Sequence, residues 1–255
     1  MNAHAGFFSS SDDFKCGRDD TIQALQKSLK DNASEILQSR YISSGSAYFY
    51  NKPEEVLQQE INATSVTVSN ITTSDASNGI QCTATVSVKV SPAALTLSKE
   101  MPDQFAVLKS GSGTLLNNNL VWKRYSYRAQ LADNKKDIII ENLNSIPEAI
   151  YNNARHSVNS ENILDSNVKY KRDNALRIYE YRDGDLNALW KTLPASLRTS
   201  IKSEQQEWVK SKAKKCGTIE FAKSDVGDMK PKVETLLCQT KMTEERITYL
   251  GGSLD

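Results

Sequence analysis

The chain has 255 residues, which is enough for one large domain or two smaller ones. Its 32 basic and 31 acidic side chains give a formal net charge of +1, and this balance argues against nucleic acid as the main partner, because phosphate binding needs a clustered basic surplus. No apolar run approaches the roughly 20 residues that span a bilayer, so we expect no transmembrane segment.

The N-terminus has neither the basic nor the apolar region of a signal peptide, and we predict that residues 1–15 form a disordered leader. Two accounts of this start are open. The chain is either the mature form of an exported protein whose signal has been replaced, or a cytosolic protein with a frayed start. A lipid anchor in the native form stays open as well, although no small-residue lipobox precedes Cys16.

Two helices are predicted before the first strand. Residues 18–38 have apolar side chains at near-helical spacing, including Ile22, Leu25 and Leu29. A second, short helix is predicted to open at Pro53, because proline suits the first turn of a helix, and to run to about residue 61.

From residue 65 the apolar period changes to two, which is typical of strands with one buried face. The clearest strand carries core-facing residues at every second position: Cys82, Ala84, Val86, Val88 and Val90. Pro92 ends it. The following segment, which includes Phe105 and Leu108, is predicted to be partly helical.

A hairpin is predicted from residues 120–131 and 136–143. Strict alternation in the first of these strands buries Tyr125 and Tyr127 and exposes Trp122, Arg124 and Arg128. The predicted fold of residues 16–145 is therefore α+β, with an N-terminal helix packed on a curved antiparallel sheet in a cystatin-like wrap.

The second half of the chain is predicted to be helical only in part. Residues 146–182 form a connecting region in this prediction, with a polar domain boundary over 156–167. Residues 183–252 are predicted to form a small all-α module of three helices. Pro194 separates the first helix from the second, and Gly217 ends the second.

Four cysteines are spaced too widely for a zinc site. They are either four buried thiols or two disulfide bridges. We favour the bridges Cys16–Cys82 and Cys216–Cys238, since each cysteine lies beside a predicted element boundary. Disulfides persist in oxidising compartments, so the expected location is the periplasm or the cell surface.

The C-terminal stretch resembles the LprI-type lysozyme-inhibitor-like family over about residues 183–250. It reads DGDLNALWKTLPASLRTSIKSEQQEWVKSKAKKCG, followed by LLCQTKMTEERITYL. The family pattern corresponds here to Asp183, Leu186, Asn187, Leu197, Arg198, Glu204, Gln205, Trp208, Lys212, Cys216, Cys238 and Arg246. The chain departs from the pattern at Gln206 and Ala213, and it lacks the further upstream cysteines that members commonly carry. The N-terminal region resembles no family that we recognise.

The resemblance implies an exported protein and, for some members, inhibition of lysozyme. We therefore predict an envelope protein that binds another protein, as a lysozyme or muramidase inhibitor or as an immunity-like factor. The alternative is a structural or assembly factor of the bacterial envelope without inhibitory activity. An enzyme is not expected, since the two histidines, His4 and His156, fall in the leader and in the predicted boundary. No cofactor motif is present.

Candidate binding residues fall into four groups. Gln205 and Trp208 are either a binding pair or a core anchor with its hydrogen-bonded neighbour, and we favour the anchor. Lys212 belongs to a basic run that either compensates the helix dipole or contacts an anionic envelope polymer. The loop over 218–231 is the candidate inhibitory loop, with Glu220, Asp225 and Asp228. In the assembly-factor alternative the contacts are Trp122, Arg124 and Arg128.

Overall fold

The computed structural model describes residues 14–76, 79–102, 113–143 and 145–254. Phe105, Leu108 and most of the predicted leader lie outside these ranges. The chain divides into two compact units, unit 1 (Met1–Ser160) and unit 2 (Glu161–Asp255). The predicted domain limits, 16–145 and 183–252, stay a prediction.

Unit 1 opens with two helices, α1 (Asp19–Ser44) and α2 (Glu54–Ala63), joined through a 3₁₀ turn at Ser46–Phe49. Both predicted helices are confirmed, and α1 extends six residues beyond its predicted end. One face of α1 is buried at four-residue intervals, at Thr21, Leu25, Leu29, Ala33 and Leu37. Such a line of buried side chains is typical of an amphipathic helix that packs on a sheet.

The sheet of unit 1 has five antiparallel strands: β1 (Val66–Asp75), β2 (Ile80–Lys89), β3 (Thr114–Leu116), β4 (Asn119–Leu131) and β5 (Ile138–Glu141). β2 lies between β1 and β4, while β3 and β5 both pair with β4. Helix α3 (Pro92–Glu100) follows β2. α1 packs against β1 and β5, which confirms the predicted helix on an antiparallel sheet.

The strand β2 alternates as predicted, with Ile80, Cys82, Ala84, Val86 and Val88 buried and the residues between them partly exposed. Cys82 forms a disulfide with Cys16, which precedes α1, and both cysteines are fully buried. The bridge therefore ties the start of the first helix to the central strand.

Both neighbours of β2 carry a β-bulge at the same level of the sheet. The register of β1 shifts between Ser69 and Thr72, and the register of β4 shifts opposite Thr85. Asn70 has φ 50° in the first bulge and Arg124 has φ 54° in the second. Each bulge inserts one extra residue and locally bends its strand.

The prediction that Trp122 is exposed is wrong. The bulge places two residues, Lys123 and Arg124, between Trp122 and Tyr125, so the alternation restarts at the bulge. Trp122 therefore lies on the same face as Tyr125 and Tyr127, and it is only 2% exposed. Arg124 is exposed, and Arg128 is partly exposed beside Glu141.

Helix α4 (Ile146–Thr192) runs through the whole predicted connecting region, so residues 156–167 are helical. The division between the two units, after Ser160, falls within the boundary predicted over 156–167. Pro147 lies in the first turn, where its missing N–H breaks no helical hydrogen bond. Residues 146–160 of α4 belong to unit 1 and bury Ile146, Ala149 and Ile150 there. His156 is also buried, and burial lowers its pKa to about 4.

Unit 2 is all-α, as predicted for the C-terminal module. After the residues of α4 it contains α5 (Ala195–Ser200), α6 (Lys202–Cys216), α7 (Ile219–Lys223) and α8 (Lys230–Tyr249). The disulfide Cys216–Cys238 joins the end of α6 to α8, which confirms the predicted bridge. A core cluster contains Ala175, Tyr179, Ala222 and Leu236. Within the described parts of the chain, no helix is long and apolar enough to cross a membrane.

Candidate functional site

Two buried cations flank the indole ring of Trp208 in unit 2. Lys212 Nζ lies 5.0 Å from the ring centroid, and the guanidinium carbon of Arg246 lies 5.7 Å from it. Trp208 and Lys212 are on α6, while Arg246 is on α8. The contact of Arg246 with the ring joins α8 to α6, whereas the contact of Lys212 lies within α6, so only the cation–π attraction of Arg246 contributes to holding the two helices together.

Arg246 is also hydrogen-bonded to α6. Its Nε donates to Gln205 Oε1 at 2.7 Å, and its Nη1 donates to Glu204 Oε1 at 2.7 Å. The hydrogen bond from Arg246 lowers the pKa of Glu204. The guanidinium also lies 4.6 Å from the ring centroid of Tyr249. Arg246 therefore makes a charged crosslink between the two helices.

Lys212 connects α6 to both α8 and α4. Its Nζ donates to Thr243 Oγ1 at 3.1 Å and lies 3.7 Å from Asp183 Oδ1. Burial lowers the pKa of Lys212, and Asp183 only partly opposes this effect. The hydroxyl of Tyr179 donates to the same carboxylate, and burial together with Asp183 raises the pKa of Tyr179 to about 12.

The family-pattern residues Gln205, Trp208 and Lys212 thus contact other residues of unit 2 in one connected network. This arrangement is the one expected of a core anchor with hydrogen-bonded neighbours. Their role in binding a partner stays a prediction. Within the described ranges, no group of three or more His, Cys, Asp or Glu residues could hold a metal ion.

The candidate inhibitory loop over 218–231 is ordered by a buried lysine. It contains α7 and then a turn, residues 224–228, which we call the tip loop. Lys232, at the start of α8, is fully buried, and its Nζ donates to the carbonyl oxygens of Ser224 and Val226 at 2.6 Å each. It also lies 5.6 Å from the ring centroid of Phe221. Through these contacts the buried Lys232 holds the backbone of the tip loop in place.

The acidic residues of the loop have different surroundings. Asp225 forms an ion pair with the buried Arg172 of α4, and this hydrogen bond lowers the pKa of Asp225. Asp228 accepts a hydrogen bond from the backbone N–H of Lys230 at 3.0 Å, where α8 begins. Glu220 is exposed in the first turn of α7. Asp225 therefore ties the loop to α4 through a side chain that is itself 80% exposed, and the carboxylates of Glu220 and Asp228 are exposed as well.

The apex of the tip loop is apolar. Val226 is 84% exposed, its carbonyl oxygen accepts a hydrogen bond from Lys232, and the neighbouring Asp225 pairs with Arg172 of α4. An exposed valine on an ordered loop is suited to contact a concave apolar surface of another molecule, because little conformational entropy is lost on binding. No sequence pattern singled out Lys232 or Arg172, since a lysine near a helix start and an arginine within a long helix are ordinary residues at those places.

Replacing Lys232 by methionine is expected to loosen the tip loop while α8 persists. Methionine fills much of the lysine volume but donates no hydrogen bond to Ser224 or Val226. We expect amide hydrogen exchange within 224–228 to become at least about tenfold faster, because local opening then costs less free energy. Mass-spectrometric exchange of the full chain measures this.

The matched control is Lys230→Met, which removes an exposed lysine two positions earlier. Its exchange over 224–228 is expected to equal that of the unmodified chain. Equal exchange in the Lys232→Met variant and the unmodified chain contradicts the anchoring role of Lys232.

Residues 169–250 match the family model described as lysozyme inhibitor LprI. The match confirms the resemblance of the C-terminal module and begins upstream of residue 183, so that it includes Arg172 and Tyr179. Residues 1–168 and 251–255 lie outside it. None of the curated proteins and none of the solved structures matches the chain.

Proposed function

We propose that unit 2 inhibits a lysozyme-type enzyme and that the protein acts in the periplasm or at the cell surface of a bacterium. The observation that carries the proposal is the match of residues 169–250 to the lysozyme inhibitor LprI family. The two disulfides support an oxidising compartment, because such bridges are rare where thiols are kept reduced. An inhibitor needs no catalytic group, and we propose that the protein is not an enzyme.

The proposed contact with the enzyme is the tip loop. Its apex, Val226, is 84% exposed, Lys232 hydrogen-bonds the backbone carbonyl of Val226, and Arg172 pairs with the side chain of the neighbouring Asp225. The enzyme cleft is concave, so a protruding and ordered loop is the complementary shape. Preorganisation of this kind improves affinity mainly by lowering the entropy lost on binding.

The exposed charges of the loop are mixed. Glu220 and Asp228 carry open carboxylates, and a cationic lysozyme is attracted to acidic groups during encounter, whereas the exposed Lys223 and Lys230 oppose that attraction. Asp225 contributes less to encounter, because Arg172 already neutralises it. The role proposed for Asp225 is therefore to position the loop.

The assembly-factor alternative has less support. Its proposed contact surface combined an exposed tryptophan with two arginines, and Trp122 is a core residue. Arg124 is exposed and Arg128 is partly exposed.

The inhibitor proposal is tested by the turnover of a cationic lysozyme on cell-wall substrate with increasing amounts of the full chain. We expect inhibition by the unmodified protein. The Val226→Asp variant is expected to inhibit at least about thirtyfold more weakly, because a charge replaces the apolar apex at the centre of the contact. Unchanged turnover at high micromolar protein contradicts the proposal.

Val209→Asp is the matched control. Val209 is 49% exposed on α6, outside the tip loop, and receives the same substitution. It is expected to inhibit as the unmodified chain does. If Val209→Asp weakens inhibition and Val226→Asp does not, the contact lies on α6 beside Trp208, and the tip-loop assignment is wrong.

A further inference from the structure

The outer face of the unit 1 sheet carries an open cradle at the level of the two bulges. Its volume is about 710 Å³, and its lining includes Asn70 of β1, Thr83 and Thr85 of β2, and Lys123 and Arg124 of β4. This volume lies within the range of ligand sites, roughly 300–1,000 Å³. We propose that the cradle binds a short anionic glycan. This proposal is independent of lysozyme inhibition by unit 2.

Among the residues that the structure describes, none compensates the charge of the cradle. Its lining contains the two cations Lys123 and Arg124 and no aspartate or glutamate. Both cations are exposed, and neither forms an ion pair with a carboxylate within the described ranges. A ligand that carries negative charge is therefore complementary to the site.

The conformation of Arg124 supports a binding role. A residue with φ 54° is uncommon unless it is glycine, asparagine or aspartate. Sheet stability alone therefore favours asparagine or glycine at this bulge, as at Asn70 in the neighbouring bulge. An arginine in this conformation adds strain and contributes an exposed charge to the cradle, and such local conflicts concentrate at functional sites.

The remaining lining favours a sugar over other anions. The surface between the cations and β1 carries hydroxyl and amide groups, while Leu116 and Val121 add apolar area; the polar side chains are those of Asn70, Thr72, Thr83, Thr85 and Ser87. Most of their hydrogen-bonding capacity is open, since Thr85 Oγ1 receives only a 3.4 Å contact from Asn70 and Thr72 Oγ1 only reaches the carbonyl of Thr83 at 3.5 Å. A glycan presents many hydroxyl groups to such a surface. The lining has no aromatic ring on which a base could stack.

Isothermal titration calorimetry of the full chain with defined oligosaccharides tests the proposal. Hyaluronan tetrasaccharide and trigalacturonate are carboxylated probes, and chitotetraose is a neutral probe. We expect both carboxylated probes to bind and chitotetraose to bind at least about tenfold more weakly, since it forms no ion pair. Failure of both carboxylated probes to bind at millimolar concentration overturns the proposal.

Two variants and one control locate the binding. Arg124→Asn removes a cation and suits the positive φ, so the sheet stays folded while affinity for the carboxylated probes falls about fivefold. Thr85→Glu places a carboxylate in the cradle and is expected to abolish binding. Lys136→Gln removes an exposed cation from outside the cradle and is expected to leave affinity unchanged. Equal affinity in all four proteins overturns the assignment of the site.

A tetra-aspartate peptide separates a glycan site from a site for any anion. Binding of the peptide at least tenfold weaker than that of hyaluronan tetrasaccharide supports recognition of the sugar hydroxyls. Equal or tighter binding of the peptide overturns the glycan assignment and identifies an acidic peptide as the ligand class.

Discussion

Removing the Cys16–Cys82 bridge with the double variant Cys16→Ala, Cys82→Ala is expected to destabilise unit 1 by about 4 kcal/mol. The two cysteines are 66 residues apart, so the bridge removes many conformations from the unfolded chain. It also fixes the entry to α1 against the central strand. Guanidinium unfolding of the oxidised full chain, monitored by amide hydrogen exchange of β2, measures the loss in the free energy of unfolding.

The control for this prediction is the second bridge. Cys216→Ala with Cys238→Ala removes a bridge that closes only 22 residues, and about 3 kcal/mol is expected from the same model. Amide hydrogen exchange of α6 and α8 is expected to become faster, while exchange of β2 stays slow. If β2 exchanges at the same rate in the Cys16→Ala, Cys82→Ala variant as in the unmodified chain, the bridge does not stabilise unit 1.

Replacing Arg246 by methionine is expected to destabilise unit 2 by about 2–3 kcal/mol. The change removes the hydrogen bond to Gln205 and the stacking of the guanidinium over Trp208 and Tyr249. The ion pair with Glu204 contributes little of this, because the side chain of Glu204 is 47% exposed. Denaturant unfolding monitored by exchange of α8 measures the change.

Lys212→Met is the contrasting variant, because Lys212 is the other cation over Trp208. Burial already disfavours its charged form, and its carboxylate partner Asp183 is 3.7 Å away. The carboxylate left behind by the substitution, Asp183, has a side chain that is 37% exposed and stays hydrated, so no charge is buried without a partner. We therefore expect a smaller loss than for Arg246→Met. A larger loss for Lys212→Met contradicts this ranking of the two cations.

Much of the fold could be predicted because its signals are local. The alternation of Cys82, Ala84 and Val86 identifies a strand by itself, and proline or glycine marks the ends of helices in the C-terminal module. The pairing of four cysteines into two bridges followed from their positions at element boundaries. These features need no knowledge of distant contacts.

The wrong predictions concern features that the spacing of apolar residues does not reveal. Which face of the sheet Trp122 occupies depends on a bulge at Lys123 and Arg124. The sequence gives no sign of this bulge, because neither lysine nor arginine favours a positive φ. The helical course of α4 through 156–167 was missed because polar residues there suggested a linker. Helix propensity and packing of scattered apolar residues are sufficient to continue the helix.

The candidate site was predicted as a loop with three acids, and its organisation comes from residues outside that prediction. Lys232 and Arg172 hold the tip loop, and Asp225 serves as a partner of Arg172. Burial of a lysine under two carbonyl groups is a tertiary feature without a sequence signature. The exposure of Val226 also appears only once the loop is folded.

The most direct test of the central claim is calorimetric binding of the full chain to a cationic lysozyme, with and without saturating chitotriose in the enzyme cleft. The tip loop is proposed to enter that cleft, so we predict binding to the free enzyme and its loss when chitotriose occupies the cleft. No binding to free lysozyme contradicts inhibition by this protein. Equal binding with the cleft occupied contradicts insertion of the tip loop.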